Sequence, residues 1–205
     1  MDALKSQSPV LARIADEWDR AERDIKLAEQ VCGAAVIPAI AELRYAGRRL
    51  VDCLRSVADG EPAARTEGLV QDALLNCVRA RHDAIDASIA RMAEHVRLMV
   101  DRLGHHAVAQ AFPEFAAFQT RLDDAHGLIA ESRGERRRRE DIYTALEEAG
   151  FPPLVAEYRR LKNSEKIMES HAALSLKRER LGWFREAFVA VLGTLLAFLA
   201  GLALR

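Results

Sequence analysis

The sequence is poor in the short motifs that announce chemistry. It has no Gly-rich phosphate loop, no Gly-x-Ser-x-Gly turn, no Cys-x-x-Cys pair and no His-Glu-x-x-His helix. That removes the motif basis for a P-loop hydrolase, an α/β-hydrolase, a thiol oxidoreductase and a zinc metalloprotease. Cysteine is scarce: Cys32, Cys53 and Cys77 are an odd number, widely separated, and no pair has metal-ligand spacing. They read as reduced, buried thiols of a cytosolic protein, with no metal and no cofactor implied. An excess of one charge is lacking too. Thirty Lys and Arg face 31 Asp and Glu, a net charge of -1, so no global field draws the chain to nucleic acid or anionic lipid. The N-terminus lacks an apolar core and a small-residue cleavage site, which excludes a secretory signal and predicts a cytoplasmic soluble part. Strand-like alternation and internal repeats are absent as well.

What is present is helical periodicity. Leu11, Ile14, Trp18, Ala21, Ile25, Ala28 and Cys32 recur at spacings of three and four after a Ser8-Pro9 start, one apolar seam on one helix. The charged residues between them, Asp16, Glu17, Asp19, Arg20, Glu22, Arg23, Asp24 and Lys26, read as a solvated surface. Pro38 opens a second helix with a seam of Ile40, Leu43, Gly47, Leu50, Leu54 and Val57, where Gly47 admits a close neighbour. Asp59-Gly60-Glu61-Pro62 stops it. A third helix is expected from about Glu67 to Leu103, with Leu74, Val78, Arg81, Ile85, Ile89, Met92, Val96, Met99 and Leu103 as its seam. Pro113 reopens a helix bearing Phe115, Phe118, Leu122, Ala125 and Ile129 on one side. Ser132 and Glu135 fit a capping box for a short helix ending at Gly150, and a last soluble helix starts near Leu154.

The longest apolar run is Ala187 to Leu204, which holds no charge and no Pro, and only Thr194 as a polar side chain. Eighteen helical residues span about 27 Å, close to the roughly 30 Å of a bilayer's hydrocarbon core. Lys177, Arg178, Arg180 and Arg185 precede it and suit the cytoplasmic flank. The expectation is an all-α protein: an antiparallel helical bundle of about five or six helices over residues 1–180, then one C-terminal transmembrane helix within 181–205. That makes it a tail-anchored, single-pass protein of the cytoplasmic (inner) membrane. Gly193, Ala197 and Gly201 stand four apart in the anchor, the small-residue spacing that lets membrane helices pack closely and a basis for a homo-oligomer.

Three constellations are candidates for chemistry. Arg44 and Arg48 on the second helix, with Arg81 and His82 on the third, would meet if those helices are antiparallel neighbours. They would form either structural ion pairs or a polar pocket for an anionic ligand or a partner's carboxylates. Arg136, Arg137, Arg138 and Arg139 form a basic run for lipid headgroups or another anion, or else the solvated start of a helix. Arg121 and His126 have the Arg-x4-His spacing of a HEPN-type ribonuclease, in which Arg stabilises charge on a phosphate and His moves protons, or they are a surface pair. Asp123 and His126 stand three apart, but no second such arm completes a metal site.

The stretches 37–50, IPAIAELRYAGRRL, and 74–87, LLNCVRARHDAIDA, resemble a helical pattern in small bacterial membrane proteins of phage defence. The design is similar to CRISPR-associated HEPN-like proteins. The resemblance implies a helical cytosolic domain, a single membrane helix, and assembly that permeabilises a membrane on a signal. The function expected is thus a self-associating membrane effector or scaffold, with a membrane-tethered ribonuclease or a passive adaptor recruiting a cytosolic protein as alternatives.

Overall fold

A computed structural model of the chain describes residues 8–135, 137–175 and 177. Among these the fold is all-α. The helices are α1 (Ser8–Cys32), α2 (Ile37–Ala58), α3 (Ala63–Leu103), α4 (His105–Ala111), α5 (Phe115–Gly134), α6 (Arg139–Ala145), a π-helical turn (Leu146–Gly150) and α7 (Phe151–Asn163). A further helical stretch covers 165–175. The apolar run from Ala187, with Gly193, Ala197 and Gly201, lies outside the described residues, as does Arg136. Among the described residues no helix is long and apolar enough to cross a membrane.

The described residues divide into two compact units. One comprises the chain up to Arg97 together with Ala117–Arg160; the other comprises Leu98–Ala116 together with the described residues from Leu161 onward. In the first unit α1, α2 and α3 share two apolar clusters. Ala21, Ile25 and Ala28 of α1 meet Ala39 and Leu43 of α2 and Ala80 and Ala84 of α3. Ile14 of α1 meets Ala46 and Cys53 of α2 and Val70, Ala73, Leu74 and Cys77 of α3. Higher numbers on α1 thus go with lower numbers on α2 and higher numbers on α3, so α2 runs opposite to both. Alanine dominates these contacts, and small side chains let helix axes approach closely.

That closeness corrects the expected face of α2. Its buried residues are Ala39, Leu43, Ala46, Cys53 and Ser56, while Ile40 and Leu54 of the expected seam are 38% and 58% exposed. The helix is rotated so that small residues, not the largest apolar ones, face α1 and α3. Gly47 does lie against a neighbour: a Cβ there would stand 3.7 Å from Cη2 of Trp18. The seams of α1, α3 and α5 are as the periodicity predicts. Ile14, Ala21, Ile25 and Ala28 are buried, as are Ile85, Ile89, Met92, Val96 and Met99, and Phe115, Phe118, Leu122, Ala125 and Ile129. The three cysteines are free, with Cys53 and Cys77 buried, and burial pushes all three thiols up.

The corners follow from local chemistry. Gly60 has φ 68° after α2, a left-handed residue that closes the helix while Ser56 Oγ meets Thr66 Oγ1 at 3.3 Å across the corner. Gly104, φ 81°, separates α3 from the short α4. Two expected boundaries are corrected. Ser132 caps nothing: it lies in the last turn of α5, and its Oγ donates to the Ile129 carbonyl at 2.7 Å. Nor does the helix end at Gly150. It continues through the π-helical turn, where the Phe151 amide bonds to the Leu146 carbonyl, into α7. Pro152 and Pro153 supply no amide hydrogen and crowd the carbonyls one turn back, so the wider turn accommodates them without ending the helix.

In the second unit Met99, Val108, Phe112, Phe115, Leu161 and Met168 are buried. Arg102 pairs with Glu165 and, at 3.1 Å, with Glu169.

Candidate functional site

Two polar assemblies lie within the first unit. The deeper one is built around Arg81, which occupies a seam position of α3 and is fully buried. A guanidinium cannot be taken from water without acceptors, and three helical segments supply or brace them. Nη1 of Arg81 donates to Oε2 of Glu147 in the π-helical turn at 2.5 Å. Nη2 donates to Oε1 of Glu140 on α6. Nε lies 3.5 Å from Oε2 of Glu17 on α1, an ion pair without hydrogen-bond alignment. Arg20 of α1 grips the same Glu147 with both arms of its fork, at 3.0 and 2.6 Å, and holds Glu17 at 2.6 Å. Arg23 stands 3.6 Å from Glu147.

His82, next on α3, is 3.2 Å from Oε2 of Glu140, again an ion-pair distance without hydrogen-bond alignment. Its ring stacks on Tyr143 of α6, centroids 3.7 Å apart and planes 17° from parallel. The Tyr143 hydroxyl donates to Asp86 of α3 at 2.5 Å, and Arg133 of α5 reaches the other oxygen of Asp86 at 3.2 Å.

Electrostatics commit these groups. Burial pushes Glu140 up, but His82 and Arg81 outweigh it and hold the carboxyl at about 2. Burial likewise acts against Glu147, and the hydrogen bonds from Arg20 and Arg81 override it, leaving that carboxyl below its usual range. Burial and the bond to Asp86 raise the Tyr143 hydroxyl to about 12. Asp24 of α1 is different. It is 1% exposed, its Oδ2 has no hydrogen-bond partner, and burial, reinforced by Glu147, raises it to about 7. General acid–base work needs a group poised near the working pH and in reach of substrate. Glu140 and Tyr143 are far from that pH, Glu147 is held below its usual range, and Asp24 is shut from solvent. The assembly ties α1, α3, α6 and the π-helical turn together.

The second assembly is a cleft of about 460 Å³ between α2 and α3, lined by Glu42, Tyr45, Arg48, Arg49, Asp52, Asn76 and Arg79. Arg48 pairs with Asp52 one turn on, at 3.0 Å, and Arg49 with Asp72 of α3 at 3.6 Å.

The four residues expected to share one pocket are divided between these places. Arg48 lines the cleft, and Arg44, exposed beside it, stands 5.9 Å over the Tyr45 ring. Arg81 and His82 belong to the buried assembly. The reason is helical geometry: Arg79 and Arg81 are two residues apart and therefore about 200° apart on α3, so they serve opposite sides. Glu17, Arg20 and Asp24, read from the sequence as solvated surface, turn toward Arg81, with only 15% and 27% of the Glu17 and Arg20 side chains exposed. The available signal was Arg81 itself, a cation on an apolar seam, which demands buried carboxylates from elsewhere.

Arg121 is exposed and engaged, its Nε and Nη2 3.1 and 2.7 Å from Oε2 of Glu157 on α7; His126 is exposed. Arg137, Arg138 and Arg139 are exposed, and Arg138 pairs with Glu131 at 2.6 Å. Among the described residues no group of three or more His, Cys, Asp or Glu could hold a metal ion. Compared with known protein families, characterised proteins and solved structures, the chain matches none.

Proposed function

We propose that this chain is a non-enzymatic membrane effector or scaffold. Residues 187–204 anchor it in the cytoplasmic membrane as a single span, the helical part before them stays in the cytoplasm and takes a signal, and copies associate through Gly193, Ala197 and Gly201. The observation that carries this reading is the uncharged eighteen-residue run itself, with its basic flank on one side. The helical part supports it by what its charges do. Buried Glu147 is held by Arg81 and Arg20, and Arg121 is held by Glu157. One membrane helix satisfies its own backbone and offers ions no wet path, so permeabilising a bilayer needs several copies. The likeness to phage-defence membrane proteins gives that action its setting.

The adaptor reading has one observation in its favour. Ile37, Ile40, Val51 and Leu54 project from α2 at 67%, 38%, 43% and 58% exposure, an apolar face open to a partner.

Carbonate extraction of cell membranes tests the anchor. Full-length protein stays in the pellet, while a chain ending at Arg180 is soluble and helical. Mass photometry in mild detergent tests assembly: wild type is a homo-oligomer, and replacing Gly193 and Gly201 together with Leu weakens it without preventing insertion. Full-length protein in the carbonate supernatant removes the anchor. A wild-type monomer at micromolar concentration removes the effector and leaves the adaptor.

A further inference from the structure

The cleft between α2 and α3 has unfilled chemistry that the membrane reading does not use. Asn76 lines it and is nine-tenths buried, yet its amide makes no hydrogen bond to any described residue. Its amide atoms keep access to solvent, so two donor hydrogens and an acceptor oxygen are open to the cleft. Arg79, one turn further along α3, is exposed and forms no ion pair with a described residue, unlike Arg48 and Arg49. Tyr45 offers an aromatic ring, 51% exposed, with the guanidinium of Arg44 beside it. Glu42 adds a wall carboxylate, one oxygen of which is buried with no donor. Arg48 and Arg49 are paired with Asp52 and Asp72, which leaves Arg79 as the cation of the lining without an ion pair to a described residue. Its volume of about 460 Å³ falls within the roughly 300–1,000 Å³ of small-ligand sites.

We propose that this cleft binds a purine mononucleotide, with Asn76 reading the base edge, Tyr45 covering a face of the base, and Arg79 and Arg48 holding the phosphate. A bare anion would use Arg79 and leave the Asn76 amide and the Tyr45 ring idle. A carboxylate side chain of a peptide would do the same. A nucleotide supplies all three complements at once: a flat face, an edge carrying donor and acceptor, and an anion. The pairing of an Asn amide with an adenine edge through one donor and one acceptor is a matched geometry, and an arginine fork matches a phosphate. The binding is non-covalent. It stands whether or not residues 187–204 enter a membrane, so it fails or holds separately from that reading.

Isothermal titration of AMP, adenosine and inorganic phosphate into full-length protein in mild detergent tests it. AMP binds with a Kd in the micromolar range, and adenosine and inorganic phosphate each bind at least about tenfold more weakly, since each lacks one of the recognised groups. Arg79→Ala and Asn76→Ala each weaken AMP binding about tenfold, and Arg79→Lys recovers part of the loss. The Arg79 side chain is exposed, so its variants report on binding even where a change at Asn76 disturbs packing. No heat of AMP binding up to about 1 mM overturns the proposal. So does inorganic phosphate binding as tightly as AMP, or AMP binding unchanged by Arg79→Ala.

Discussion

Arg81 of α3 and Glu147 of the π-helical turn form a buried ion pair, 2.5 Å between Nη1 and Oε2, across 66 residues of chain. Arg20 of α1 bonds the same carboxylate. One carboxylate thus joins three helical segments. Glu147 sits in the wider turn, Leu146–Gly150, of the helix that runs from Arg139 to Asn163.

Removing the Arg81 charge leaves Glu147, Glu140 and Glu17 without their shared cation. Arg81→Met lowers stability by about 3–5 kcal/mol, the usual effect of breaking a buried pair on one side. Thermal melting of the variant falls by roughly 10 °C or more. A single variant that melts within a degree of wild type shows the assembly to be dispensable.

Asp24 sets a pH dependence of definite sign. Its folded pKa of about 7 lies above the ordinary value of 3.8, so the folded protein keeps a proton that the unfolded chain releases between those values. The stability due to protonated Asp24 is complete at low pH, below about 4, and is lost as pH rises toward 7. Glu140 acts oppositely: its pKa is lowered to about 2 from 4.5, so its contribution is present above 4.5 and lost as pH falls toward 2. Asp24→Asn removes the first effect and keeps the shape. Its melting temperature is higher than wild type at about pH 8, by roughly 5 °C, and the two curves converge near pH 4. A constant offset between wild type and variant across that range contradicts the assignment.

The surface position of His126 and the Arg121–Glu157 pair predict no ribonuclease activity from this helix. Purified protein leaves single-stranded RNA intact over an hour's incubation, and His126→Ala behaves as wild type in cells. RNA cleavage by wild type that disappears in His126→Ala would falsify this and establish the HEPN-like alternative.

Gly47→Ala is accommodated. The new methyl meets Trp18 at 3.7 Å, an ordinary contact, and Ala favours a helix interior by about 1 kcal/mol over Gly. Melting rises by roughly 2–4 °C. Gly47→Leu drives into the Trp18 indole instead and lowers it. Equal effects of the two substitutions would show that α1 and α2 are not held as closely as that contact requires.

The helices themselves were legible because burial on one side imposes a three-four spacing on any amphipathic helix. That spacing identified α1 from Ile14, Ala21, Ile25 and Ala28, most of α3, and α5 from its two phenylalanines, Leu122 and Ile129. Gly60 and Gly104 marked ends because few other residues take positive φ. Where two faces of one helix are both apolar, spacing has no means of choosing. On α2 the tight approach to α1 and α3 selected Ala39, Ala46 and Cys53, leaving Ile40 and Leu54 outside.

The sequence by itself determined the all-α character, the register of the main seams and the presence of one misplaced cation, Arg81. Those are properties of nearest neighbours along a chain, and short-range periodicity encodes them. Only the tertiary structure decided that Glu17, Arg20, Asp24, Glu140 and Glu147 gather near that cation, and that Asn76 and Arg79 share a cleft with Tyr45 and Arg48. A charged residue looks alike in sequence whether it faces water or an ion buried by another helix. The cost of desolvating Arg81 distinguishes the two, and that cost arises only when the helices pack.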